Sequence, residues 1–472
     1  MVFSSVEFLF LFLPIFLLVY FLSGGRNAVY ALFSLIFYFI GEGWFVAIVV
    51  ASVAANYFLG RWIDDAADVR ERYRLICVGV SLNLAALIVF KYAGFIVSNL
   101  PALGSYRPRL DLHLPLGISF FTFHSISYLI DIYRRDAAAE RKPLNLALYI
   151  LMFPQLIAGP ILRFHTISKQ LETRSVNLSN IYNGLALFCF GLGQKTIIAD
   201  TIAGAIDPLF TKWQTLNAVS AWLAAIGYTF QIYFDFSGYS NMAIGLGWVT
   251  GFYFQKNFDF PYVSQSITEF WRRWHMSLSR WFRDYLYVPL GGNRAGVRRT
   301  YVNLATVFVL CGLWHGAAWT FLVWGAYHGV MLVVERLGLD KALTGVPRAL
   351  RHVYALLVVV VGWVVFRADS LEEARHIYAQ MFTFNGGDDP LNPVLALSGE
   401  EIAAFACALA FSIPITVGFI GKAIALPTAP GTDPLRLSLR LSAGIAAAAA
   451  VFALSVLKII TGSFSPFIYF RF

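Results

Sequence analysis

The sequence predicts an all-α, polytopic membrane protein, and three observations carry that reading. Hydrophobic residues make up 58% of the chain, aromatic residues 17% and charged residues only 13%, far from the averages of a soluble domain. Apolar runs recur along the whole length, over 8–25, 28–40, 44–60, 75–90, 112–130, 143–162, 175–194, 213–234, 302–334, 352–366, 402–420 and 441–457. The period-two alternation of barrel strands is absent, which leaves a helical bundle as the way to satisfy the backbone in lipid.

A bilayer core takes roughly 20 apolar residues per helix, so about ten to twelve membrane-embedded segments are expected, the shorter ones tilted, re-entrant or buried in the bundle. The first run has no basic residues ahead of it and no small-residue cleavage site after it, which predicts a retained helix and not a removed signal peptide. Basic residues cluster at Arg61 to Arg74, Arg134 to Lys142, Arg272 to Arg299, Arg336 to Arg351 and Lys422 to Arg440, whereas 385–402 carries acids without bases. The positive-inside tendency places the first group in the cytoplasm and the second outside. The net charge of +9 therefore reflects membrane topology, and nucleic-acid binding is not expected. With neither a repeat period nor a low-complexity linker, residues 1–472 are expected to form a single membrane domain.

Cys77, Cys189, Cys311 and Cys407 stand singly in apolar runs. That spacing suggests neither disulfides nor a thiolate metal site, so they are expected to be small core residues and no metal is expected. A nucleotide-binding glycine loop of the GxxxxGK type is also missing, which argues against a nucleotide-driven pump.

Four stretches carry polar residues where lipid would discourage them. In EFWRRWHMSLSRWFRDYLYVPLGGNR (269–294), helical spacing puts Trp271, Trp274, His275, Leu278, Trp281, Phe282 and Tyr285 on one stripe, with Arg272, Arg273, Arg280 and Arg283 elsewhere. This predicts one amphipathic helix, too charged to span lipid alone and stopped by Pro289, Gly291 and Gly292. It reads either as an interfacial Trp/Arg anchor or as the lining of a polar cavity. In LCGLWHGAAWTFLVWGAYHG (310–329), His315 lies within a run of spanning length and is a functional candidate or a hydrogen-bonded packing residue. Gly312, Gly316, Ala317 and Ala318 would let neighbours approach it closely. His328, about 140° away on the same helical wheel, is expected to be structural.

Asp235 in QIYFDFSGYSNMAIG (231–245) is the only acid between Asp207 and Asp259. An isolated carboxylate at such depth needs a partner: it could orient a histidine, pair an arginine or join two helices. In FPQLIAGPILRFH (153–165), Pro154, Gly159 and Pro160 break the helix, which predicts irregular backbone buried in protein or lining a cavity.

Taken in order, these four stretches resemble the membrane-bound O-acyltransferase family, and within it the bacterial alginate O-acetyltransferase group. The similarity runs from MVFSSVEFLFLFLPIF to SPFIYFRF, essentially the whole chain. The resemblance implies a bundle with a central tunnel in a bacterial inner membrane. It implies acetyl transfer from a cytoplasmic donor, acetyl-CoA, for O-acetylation of an extracytoplasmic polysaccharide, alginate foremost, with cellulose and peptidoglycan as alternatives. It also implies a periplasmic SGNH-type acetyltransferase partner and a polysaccharide synthesis complex, with no permanently bound cofactor. His315 of the WHG motif and His275 fall on the family's catalytic histidines. One departure is Asn241, where an acid is expected.

The residues fit that chemistry. Histidine is the side chain whose ordinary pKa suits a base taking a proton from a hydroxyl near neutral pH. The absence of a GxSxG elbow or a Cys/His nucleophile favours direct transfer over an acyl-enzyme. Arg272, Arg273, Arg280 and Arg283 can meet donor phosphates, while Asp235, Trp314 and Trp274 would line the tunnel. Two rival classes are a transporter with a polar path through broken helices, and a non-catalytic subunit that recruits an external enzyme.

Overall fold

The computed structural model describes residues 1–100, 112–383, 396–415, 434–462 and 467–468, and every regular element among them is helical. Residues 385–395 of the acidic loop, 422–433 of the last basic cluster and most of SPFIYFRF lie outside the described residues. Five described helices have the length and composition to cross a membrane: Asn27–Asp65, Val69–Ser98, Leu178–Thr211, Arg348–Arg367 and Ser438–Thr461. Phe8–Leu22 is apolar but shorter. The chain is a polytopic helical membrane protein.

Packing divides the described chain into two compact units, Met1–Leu185 with Ala243–Gln255, and Ala186–Met242 with Lys256–Phe472. In the first unit, Phe153 is the hub of an aromatic core, with ring centroids of Phe12, Phe16, Tyr30 and Phe37 at 5.4, 5.1, 5.7 and 5.4 Å. It opens the proline–glycine break expected at 153–165, and this backbone is buried in protein. Side chains supply the hydrogen bonds the helix no longer provides. Gln155 Nε2 donates to the Tyr149 carbonyl (2.7 Å), Tyr149 Oη to the Leu162 carbonyl (2.8 Å), and Leu162 N–H to His124 Nε2 (3.3 Å).

In the second unit the run 302–334 is not one helix. Val297–His315 ends at the histidine, Gly316 and Ala318 are extended, and Trp319–Val334 returns antiparallel. His315 and His328 therefore belong to different helices, and the expected single wheel is corrected. Glycine makes the hairpin possible. A Cβ on Gly312 would stand 2.2 Å from the Phe321 carbonyl oxygen, and one on Gly325 would stand 2.3 Å from that of Phe308. Backbones this close exclude any larger residue.

The cysteine expectation is also corrected: all four thiols are free, but only Cys311 is buried, while Cys77 and Cys407 are exposed. Cys77 and Cys407 lie on the apolar helices Val69–Leu87 and Gly399–Phe411, whose outer faces are not covered by protein.

Candidate active site

The stretch 269–294 is broken into successive short helices, not the single helix its periodicity predicts. Ile267–Arg273 ends at Trp274, which is extended. His275 takes a left-handed conformation (φ 41°, ψ 54°), and a new helix runs over Met276–Phe282 and passes into a π-helical turn, Arg283–Tyr287. Non-glycine residues rarely adopt that backbone conformation, and here neighbouring groups impose it. The irregular segment through Asn257 and Asp259 takes over the hydrogen bonds at the break. Asp259 N–H donates to the Arg273 carbonyl (2.9 Å), and Met276 N–H to that of Asn257 (2.8 Å).

Both ends of this stretch lie near the basic end of the long hairpin. The Glu335 carboxylate, buried just after Trp319–Val334, accepts the N–H groups of Ile267 (2.6 Å) and Thr268 (2.8 Å) and so caps the first helix. At the other end, Asn303 Nδ2 donates to the carbonyls of Leu290 (3.1 Å) and Gly292 (3.0 Å). The apex, Trp274–His275, reaches the opposite end of the long hairpin, where the His275 ring lies 6.1 Å from Trp314 and meets Phe236 edge-on at 4.6 Å. The predicted stripe of Trp271, Trp274, His275, Leu278, Trp281, Phe282 and Tyr285 is buried throughout. This face of the element is packed within protein.

Asn257 sets the chemistry of His275. Its Oδ1 accepts from Ser277 N–H (3.2 Å) and Ser277 Oγ (2.8 Å), and lies 3.1 Å from His275 Nδ1. Such an acceptor holds the proton on Nδ1, which makes Nε2 the basic nitrogen.

His315 is buried at the end of its helix among Trp314, Trp324 and Phe366, with ring centroids at 4.9, 5.1 and 5.3 Å. Trp314 thus touches both candidate histidines. Phe366 also forms part of a cleft of about 150 Å³, lined by Tyr228, Thr320, Phe321, Arg367 and Ile468 among others. His328 accepts a long hydrogen bond from Trp271 Nε1 (3.4 Å) and packs on Trp324.

The remaining candidates separate by their partners. Asp235 is paired with a lysine and a backbone N–H. Its Oδ1 pairs with Lys195 Nζ at 2.6 Å and its Oδ2 accepts from Ile468 N–H at 2.9 Å. Asn241, where an acid was expected, donates to Gln194 Oε1 (2.7 Å). Trp274 is packed between Phe258 (5.1 Å) and Trp363 (4.9 Å) as part of the aromatic core. Arg273 is committed to Glu269 (2.9 Å) and Asp259 (3.5 Å), and Arg283 to Asp284 (2.7 Å). Arg272 is exposed and forms no ion pair with a described residue; Arg280 is half-buried.

Sequence reasoning missed Asn257, Glu335, Lys195 and Arg367. A lone lysine at the end of the apolar run 175–194 could have been matched with the lone Asp235. Asn257 and Glu335 carry no comparable signal, because their partners, backbone N–H groups and neutral side chains, are brought near only by folding.

The model of the membrane-bound O-acyltransferase family matches residues 73–371. Over 498 aligned residues covering 100% of both chains, the protein is 44% identical to a probable alginate O-acetylase of Pseudomonas putida. It is 36% identical to a peptidoglycan O-acetyltransferase of Helicobacter pylori, over 82% of this chain and 80% of that one. A teichoic acid D-alanyltransferase of Bacillus subtilis is 31% identical, over 55% of this chain and 67% of its own. These relatives transfer different groups to different polymers, and the transporter and recruiting-subunit readings fall away. The helices and these similarities together make the chain a member of the membrane-bound O-acyltransferase family, an O-acyltransferase enzyme of the membrane.

Proposed function

We propose that the protein, in a bacterial inner membrane, transfers acetyl from acetyl-CoA on the cytoplasmic side toward O-acetylation of an extracytoplasmic polysaccharide, alginate before other glycans, with His315 as the general base. The observation that carries this reading is the position of His315: buried at the far end of a helix that begins with Arg298 and Arg299, one ring behind a cleft. Arg298 and His315 are seventeen positions apart on this helix, an axial distance of about 26 Å. With the basic end in the cytoplasm, His315 stands toward the outer side, where a hydroxyl acceptor would arrive.

In this mechanism His315 removes the hydroxyl proton as the oxygen attacks the thioester carbonyl. The tetrahedral intermediate collapses with cleavage of the carbon–sulfur bond, and the proton returns from the imidazolium to the departing thiolate. A new ester and free coenzyme A result. His275, whose Nδ1 faces the Asn257 oxygen so that Nε2 is the acceptor nitrogen, orients the donor arm from the apex, and Trp314 spaces the two imidazoles. Coenzyme A is too anionic to cross lipid, so its phosphates remain at the basic cytoplasmic rim. Arg272, exposed and with no ion pair to a described residue, is the most available of the four arginines to receive them; Arg273 and Arg283 already hold carboxylates. The polysaccharide assignment draws on the alginate and peptidoglycan relatives. A periplasmic SGNH-type partner within a polysaccharide synthesis complex would then carry the acetyl group onward.

The test is incubation of the purified protein with radiolabelled acetyl-CoA. Release of free coenzyme A and movement of label to acceptor are expected in the wild type and not in His315→Ala. Equal transfer by both proteins would overturn the assignment of the base.

A further inference from the structure

The Lys195–Asp235 pair takes no part in the transfer just described, yet both groups are buried. Burying an ion pair has a desolvation cost that its mutual attraction does not reliably return, so its retention asks for another role. Lys195 also pairs with Asp200 at 2.6 Å. Asp235 uses its second oxygen to accept the Ile468 N–H at 2.9 Å. Beside it, the Phe467 ring covers the Lys195 ammonium at 4.9 Å and meets Tyr239 edge-on at 4.6 Å. Residues 467 and 468, from the far end of the chain, are thus anchored by charge, hydrogen bond and aromatic packing, and both are buried.

Ile468 is at the same time a wall of the cleft whose other side includes Phe321, Phe366 and Arg367. Phe366 backs onto His315 at 5.3 Å. Thr320 and Arg367 give this cleft polar groups beside the aromatic ones, a mixture suited to a hydroxyl-bearing molecule. Arg367 is steadied by Asp207 at 3.2 Å and covers the ring of Phe210 at 4.7 Å, so the polar side of the cleft is held in place independently of Ile468.

We infer that the Lys195–Asp235 pair is a clamp that pins Phe467–Ile468 as one wall of the acceptor cleft, so that this wall admits the hydroxyl-bearing acceptor and limits the access of water. The inference rests on His315 being the base. With the wall displaced, water reaches the site in place of the acceptor hydroxyl, and the thioester is hydrolysed to acetate and coenzyme A. Asp235, Lys195 and Ile468 are positioning residues here, since none of them touches the reacting atoms.

Ile468→Pro is the sharpest probe, because it removes the N–H held by Asp235 and leaves the buried charges paired. In the full-length chain with its four native cysteines replaced, a cysteine introduced by Ala318→Cys reports on the cleft by its rate of reaction with a maleimide. The rate is expected to rise about tenfold on Ile468→Pro, the population shift that a lost charge-assisted hydrogen bond produces. Acetate release from acetyl-CoA without acceptor should rise alongside it, with an unchanged KM for acetyl-CoA. Asp235→Asn, which keeps an oxygen for the same N–H, should give a smaller rise in labelling. Labelling unchanged by Ile468→Pro would overturn the clamp. Because labelling needs no turnover, that failure is distinct from failure of the base assignment, which shows as undiminished transfer by His315→Ala.

Discussion

His275 and His315 meet across Trp314, whose ring lies 6.1 Å from the first imidazole and 4.9 Å from the second. One histidine stands at the break between two short helices and the other ends a long helix. Their juxtaposition depends on both helix breaks.

Replacing His315 by Asn, close in volume, is expected to lower acetyl transfer by about 10²–10⁴-fold, the usual contribution of a positioned base. The melting temperature in detergent should move little. Transfer within a few-fold of wild type in the radiolabel assay would remove His315 from the mechanism.

Asn257→Leu leaves Ser277 N–H, Ser277 Oγ and His275 Nδ1 without their common acceptor. A loss of about 1–3 kcal/mol for each buried group left unsatisfied is expected, along with lower activity. Asn257→Asp keeps the acceptor oxygen and should lose less stability. Thermal melts of the two variants, measured side by side, decide the point; equal melting would show that this acceptor does not hold the apex.

The arginines should divide into two kinds. Arg272→Ala is expected to raise the KM for acetyl-CoA with little change in melting, whereas Arg273→Ala, which releases Glu269 and Asp259, should lower the melting temperature. Lysine at 272 should rescue poorly if the guanidinium binds phosphate through two bonds. Donor kinetics indifferent to Arg272→Ala would assign that side chain to lipid headgroups.

Gly312→Val should be among the most damaging changes outside the imidazoles. Its Cβ alone would stand 2.2 Å from the Phe321 carbonyl oxygen, so the long hairpin must open, carrying His315 away from Phe366. Overpacking of this kind costs about 1–3 kcal/mol or more. Wild-type melting and transfer would contradict the close backbone approach.

A cysteine at 315, in a chain lacking its native cysteines, should react with slim thiol reagents from both membrane faces. Acetyl-CoA should protect it from the cytoplasmic face only. Reaction from one face, indifferent to acetyl-CoA, would place the whole transfer at one surface.

Much of this protein was legible in the sequence because lipid imposes a strong rule: backbone must be satisfied within helices, so apolar runs and their breaks are written in composition. The buried irregular backbone after Phe153 and the buried stripe of 269–294 both follow from that rule. The tertiary structure decided what period alone cannot. A helix-like stripe survived although the helix breaks at His275, because Asn257 and Asp259, brought alongside by folding, take the hydrogen bonds that a continuous helix would have kept. The apolar run 302–334 reads as one span, yet it turns at Gly316 because glycine faces let two backbones pack in contact. The partner of Asp235 was likewise settled only in three dimensions: a buried carboxylate announces that it needs a cation, but which one it finds depends on which helices the fold places beside it.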